Sequence, residues 1–202
     1  MIGLRESKKQ RTRELIANEA MGLFAQRGFD GVTVAEIAAA AAVSEKTVFN
    51  YFPTKEDVFF DEVPARLAAL VAAIRDRPAG TSVFAALHAL QARDAARLTS
   101  PYFATFARII EESPSLQAKE LELMRRYADT LAETLRAELG APELDARVAA
   151  NAVVSVHWQF FRNARRAALA GKNGPAAAKK LRSELSRAYR LLEGGLGALE
   201  RR

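Results

Sequence analysis

Cysteine is absent from these 202 residues. Its absence removes disulfides, thiolate metal sites and cysteine nucleophiles together, and it suits a reducing compartment. Histidine occurs only at positions 88 and 157. Neither lies in a His-Glu-x-x-His or Glu-x-x-His pattern, and no P-loop or Gly-x-Ser-x-Gly run is present. No catalytic residue, metal site or cofactor is therefore expected, and the chain does not read as an enzyme. No stretch of 18 apolar residues occurs, so neither a membrane span nor a membrane partner is expected. The opening MIGLRESKK lacks the apolar run of a secretory signal, which points to a cytoplasmic protein. Strand-like alternation and internal repeats are missing too, which leaves an all-α chain.

What is present is apolar content and charge. Half the residues are apolar, enough for a sizeable core, and the formal net charge is +6. That charge is unevenly spread. Residues 1–60 carry 8 Lys/Arg against 8 Asp/Glu, residues 61–146 carry 10 against 13, and residues 147–202 carry 12 against 3. The C-terminal excess reads mainly as a solvated face. Within the neutral first segment, residues 1–13 hold Arg5, Lys8, Lys9, Arg11 and Arg13 against Glu6 alone. A basic arm of this kind is the electrostatic footprint expected of phosphate contacts.

The arm leads into TVAEIAAAAAVSEKTVFNYF, residues 33–52. Thr33 and Glu36 have capping-box spacing, so a helix should begin at Val34 and carry Val34, Ile37, Ala38 and Ala41 on one face. Ser44 is a second N-cap, and Ala42-Val43-Ser44 is the right length to turn one helix roughly perpendicular to the next. The second helix, from Glu45 to about Tyr51, should point Val48 inward. Lys46 and Asn50, four residues apart, share a side. Lys can donate to guanine and Asn can pair with adenine in a major groove, so this reads as the recognition helix of a helix-turn-helix.

The run from Thr33 through Tyr51-Phe52 and Lys55-Glu56 to Phe59 resembles the DNA-binding signature of the TetR (tetracycline repressor) family. The likeness spans about residues 8–59. It implies that Lys46 and Asn50 read bases, while Thr33, Ser44, Thr47, Tyr51 and Lys55, with the basic arm, hold the duplex. Two positions depart from the family pattern. Ala42 stands where Gly is usual, implying strain of about 1 kcal/mol if a left-handed turn is kept, and Phe49 stands where Tyr is common. The resemblance also implies a homodimer on a near-palindromic operator and an unidentified small-molecule effector.

The expected organisation is a three-helix DNA-binding domain, residues 1–53, joined by a fourth helix to a helical ligand-binding and dimerisation domain, residues 54–202. That fourth helix should span residues 55–75 as the sole covalent bridge, interrupted by Pro64. Helices follow over about residues 81–98, from Ser100-Pro101, from Pro114 to Gly140, and over about 143–170 and 175–199. The helix from Pro114 should turn Leu121, Met124, Ala128, Leu131, Leu135 and Leu139 inward. Phe84, His88, Tyr102, Phe106, Tyr127, His157, Trp158 and Phe161 could converge on a pocket with aromatic walls. Leu181, Leu185, Ala188, Leu192 and Leu199 form a seam that a second copy would cover. Two other readings stay open: a helical ligand carrier or enzyme whose first 60 residues dock a partner, and a regulator with no small ligand.

Overall fold

The computed structural model describes residues 4–196. The side chain of Arg5, and Leu199 altogether, lie outside the described residues. Among those residues the chain is wholly helical: α1 (Leu4–Arg27), α2 (Val34–Ala40), α3 (Glu45–Tyr51), α4 (Lys55–Phe59), α5 (Val63–Arg75), α6 (Val83–Arg93), a 3-10 turn (Arg97–Thr99), α7 (Pro101–Glu112), α8 (Pro114–Leu139), α9 (Glu143–Leu169) and α10 (Pro175–Leu196).

Two compact units result. One comprises residues 1–63 together with 108–119, and the other comprises 64–107 with 120–202. The chain thus passes between units at three places. One falls at the first residue of α5, and the other two lie well inside uninterrupted helices, α7 and α8. The single bridging helix expected over residues 55–75 is instead two helices parted by a turn at residues 60–62. Pro64 does not cause the break. It sits in the first turn of α5, where a missing N–H costs no helical hydrogen bond.

The first unit closes around Ile16, Phe24, Phe29, Ile37, Val48, Phe52 and Phe59, all essentially buried. Phe24, Phe29 and Phe59 meet with centroids 5.0–6.0 Å apart. Helix α1 packs on α2 and α4, and α2 packs on α3. Residues 108–119 join this unit through specific bonds. Arg108 donates to the Ala25 carbonyl at 3.2 Å, the Ser113 hydroxyl donates to Asp30 at 3.0 Å, and Lys119 pairs with Asp57 at 3.1 Å.

In the second unit α10 packs on α9 and α6. Leu181 and Leu185 are 3% and 2% exposed, so they belong to this internal seam and not to a partner. At these two positions the apolar stripe of α10 is used within the chain. Similarly, Leu121 is 62% exposed; Leu116, Leu123 and Tyr127 take the inward positions of α8. The helix expected over residues 81–98 ends at Arg93, with Asp94 as its C-cap.

The turn between α2 and α3 has Ala42 at φ +52°, a left-handed conformation that no other non-glycine among the described residues adopts. Backbone bonds of 3.1 Å from its amide to Ala39 and 2.9 Å from Val43 to Ala38 hold it there. For an L-residue this conformation costs about 1–2 kcal/mol, part of which glycine would give back as unfolded-chain entropy. Ala42→Gly should therefore stabilise the protein by about 0.5–1 kcal/mol, read as a rise in urea midpoint at constant slope. An unchanged or lowered midpoint would show that the turn is not strained.

Candidate functional site

Both short helices of the motif begin on side-chain caps. The Thr33 hydroxyl accepts from the Glu36 amide at 3.2 Å, and Glu36 returns a bond to the Thr33 amide at 2.8 Å. The Arg27 guanidinium, with the two Thr33 bonds behind it, holds the exposed Glu36 carboxyl down at about 2. Ser44 accepts from the Thr47 amide at 3.1 Å and shares a hydrogen bond of 2.8 Å with the Thr47 hydroxyl. Seven residues cannot sustain a helix alone. The caps at its start and buried Val48 beneath it are what hold α3.

The face α3 offers is Glu45, Lys46, Phe49 and Asn50, all exposed, with Thr47 and Tyr51 half-buried at its flank. Thr33, Ser44, Lys8 and Lys9 are also exposed. Phe49 is 49% exposed and lies on the same side of the helix, with Lys46 between it and Asn50 around the circumference. In the sequence it stands out only as a departure from the Tyr common at that position. The signal was available in the spacing, because 46, 49 and 50 fall on one side of a helix.

Two basic residues sit differently. Arg13, read as part of the arm, pairs with Asp61 at 2.5 Å, donates to the Tyr51 carbonyl at 3.2 Å and covers the Phe52 ring at 4.4 Å. It clamps α1 to the end of α3. Lys55, expected at a phosphate, donates to the carbonyls of Phe29 and Val32 at 2.9 Å each, with its ammonium 4.2 Å from the centroid of the Phe29 ring. It braces the loop between α1 and α2.

Of the eight aromatic and histidine positions proposed for a pocket, four come together. Tyr127 and His157 stack with centroids 5.5 Å apart at 26°. Trp158 stands edge-on to Tyr127 at 5.5 Å, and Phe161 is 4.8 Å from the imidazole. Arg66 lies over Phe161 at 5.0 Å and pairs with Asp94 at 2.6 Å. Burial, with the nearby Arg66 charge, pulls the His157 pKa down to about 3, and burial pushes the Tyr127 phenol up to about 12. His157 Nδ1 is buried without a hydrogen-bond partner among the described residues, a cost of about 1–3 kcal/mol. The other four positions go elsewhere. Phe84 is core, His88 bonds Ser186 at 2.9 Å, Tyr102 is 63% exposed, and Phe106 stacks on Phe103.

Residues 16–61 match the family model described as bacterial regulatory proteins, tetR family. The HTH-type transcriptional regulator TcmR of Streptomyces glaucescens is 31% identical over 146 residues, covering 68% of this chain and 65% of that one. The chain thus spans just under two thirds of that relative's length. Among solved structures, the Thermus thermophilus TetR-family repressor FadR, in complex with lauroyl-CoA, is 29% identical, covers 91% of this chain and 94% of its own, and superposes with a TM-score of 0.50. Pseudomonas aeruginosa NalD, the secondary repressor of the MexAB-OprM multidrug efflux pump, shares the fold at a TM-score of 0.59, with 18% identity over 90% of this chain and 96% of that one. Capped motif helices, exposed α3 face and relatives agree: residues 16–61 form a DNA-binding domain of the bacterial regulatory proteins of the tetR family.

Proposed function

We propose that this protein is a cytoplasmic transcriptional repressor that binds a near-palindromic operator as a homodimer, one α3 helix per major groove, and leaves it when a small effector occupies the second unit. It acts by binding and performs no catalysis. The observation that carries the reading is the exposed Lys46-Phe49-Asn50 face on a helix whose other side is fixed by its caps and Val48. Lys46 suits guanine, Asn50 suits adenine, and Phe49 suits a thymine methyl. Lys8, Lys9, Thr33, Ser44, Thr47 and Tyr51 suit phosphates. Effector binding would reach α3 through α7 and α8 as well as α5, because those two helices cross between units unbroken. The effector must favour the form that does not bind DNA, since equal affinity for both shifts nothing.

Selection from a random duplex pool tests the core of this reading and should return an operator with two-fold symmetry. On it, Asn50→Ala should lose about 1–3 kcal/mol of discrimination at one base pair per half-site. Replacing thymine by uracil at a contacted step removes one methyl, about 0.8 kcal/mol or fourfold in affinity. The wild type should lose that much and Phe49→Ala should not. An asymmetric pool, or equal weakening of every sequence by Asn50→Ala, would overturn the assignment.

Lys55→Met should lower folding stability by about 2 kcal/mol, because two charge-assisted hydrogen bonds disappear, while the salt dependence of operator binding stays as it was. A slope smaller by about one would return Lys55 to a phosphate.

For the dimer, the flank of the α9–α10 pair left over by internal packing combines small alanines with a polar rim. A groove of about 610 Å³ there is floored by Ala167, Ala170 and Ala177 and rimmed by Arg166, Lys180 and Glu184, and Ala188 and Leu191, the last 72% exposed, continue the α10 side beyond it. Small side chains let helices approach closely, as an isologous four-helix contact requires. Leu191→Glu should give a folded monomer in sedimentation, whereas Leu185→Glu should unfold the chain. A dimer that survives Leu191→Glu would move the interface elsewhere.

A further inference from the structure

The ring cluster of the second unit has a definite chemical character. Its walls are aromatic and its inner ion pair is closed: Arg66 is matched by Asp94, the imidazole is neutral and the phenol keeps its proton. Arg97, 3.7 Å from the same Asp94, and Arg126, whose charge reaches Tyr127, are exposed and screened by solvent. Among the described residues a charged guest would meet no buried counter-charge left unmatched there, only solvent-screened arginines at the rim, and most of its desolvation would go uncompensated. One polar atom is nonetheless left over, His157 Nδ1, buried and unpartnered among the described residues. Such atoms are few in native interiors and need a reason. His157 and Tyr127 lie inside, while Trp158 and Phe161 are half-buried, so the cluster runs from the interior of its unit out to solvent. A second orphan, Gln91 Oε1, lies one helical turn from Asp94 and follows the same logic, its amide nitrogen being satisfied by Tyr189 at 2.6 Å.

We infer that this cluster binds a flat aromatic molecule without formal charge, held among Tyr127, Trp158 and Phe161 and hydrogen-bonded through a hydroxyl or carbonyl oxygen to His157. The assignment of that molecule as the effector rests on the repressor reading above. Neutral imidazole can serve either group, donating from Nδ1 to a carbonyl or accepting there from a hydroxyl according to its tautomer. Offset and edge-on ring contacts with centroids 4.5–7 Å apart supply the rest of the recognition. An acyl chain would gain nothing from ring faces or from the unpaired nitrogen.

Trp158 is the only tryptophan in the chain, so its fluorescence reports on the site directly. The full-length protein is titrated with β-naphthol, naphthalene, β-naphthoate and lauroyl-CoA. β-Naphthol should quench Trp158 saturably and bind about fivefold to tenfold more tightly than naphthalene, the worth of one hydrogen bond in a buried site. The two anions should bind more weakly than either. His157→Phe should bring β-naphthol down to the level of naphthalene while naphthalene binding persists, which shows that the variant is folded. His157→Gln should restore part of the preference. The inference is overturned if an anion binds most tightly, if no neutral aromatic quenches, or if the advantage of β-naphthol survives in His157→Phe. Operator release is followed in parallel on the selected duplex. Binding of β-naphthol that leaves the DNA complex intact keeps the ligand class and overturns release by ligand.

Discussion

Everything the first unit does depends on holding a helix of seven residues that would not form in isolation. Nucleating a helical turn fixes several dihedrals for one hydrogen bond, so a segment as short as Glu45–Tyr51 borrows its stability from outside. Ser44 supplies the start, Val48 supplies the inward contact, and Arg13 grips the far end at the Tyr51 carbonyl and the Phe52 ring. Each of these groups is thereby withdrawn from any other task. That division of labour explains why a basic residue such as Arg13 is not free for phosphate, and why Lys55 spends its ammonium on two loop carbonyls.

The motif was legible because its signals are local. Thr33 with Glu36, Ser44, and Thr54 with Asp57 each declare a helix start within three residues, and each makes its cap bond. Ala42 could be assigned a left-handed turn because the likeness to a glycine position supplied what the residue itself does not announce. The long helices were legible as well, their breaks being marked by Pro101, Pro114, Gly140 and Gly171. Less visible was the break in the stretch after Thr54. Val58, Phe59, Phe60 and Leu67 continue an apolar pattern across residues 60–62, and no glycine marks the interruption.

The second unit shows where periodicity stops informing. An apolar stripe on a helix says that something covers it, and it does not say what. Leu181 and Leu185 on α10 are covered by the same chain, leaving Ala188 and Leu191 for another surface. Likewise, eight aromatic or histidine positions in a helical bundle cannot be sorted by spacing alone, because their meeting depends on crossing angles between helices far apart in sequence. Tyr127 and His157 are thirty positions apart and stack; His88 is drawn instead to Ser186. The unpaired Nδ1 of His157 is a property of three-dimensional surroundings that no pattern in the chain foretells.

The discontinuous make-up of the first unit bears on how such regulators can be recombined. Arg108, Ser113 and Lys119 anchor residues 108–119 to Ala25, Asp30 and Asp57, so the part that meets DNA is not a detachable N-terminal cassette. A chimera that fuses the first 53 or 63 residues of this chain to a foreign sensor would leave Asp30 and Asp57 without their partners and Ile109, Ile110 and Leu116 missing from the apolar interior they complete. Modularity here has a seam of two strands of sequence. An exchange that respects it must carry the α7–α8 junction along with the helix-turn-helix, and the graft points then fall within helices, where register has to be kept residue for residue.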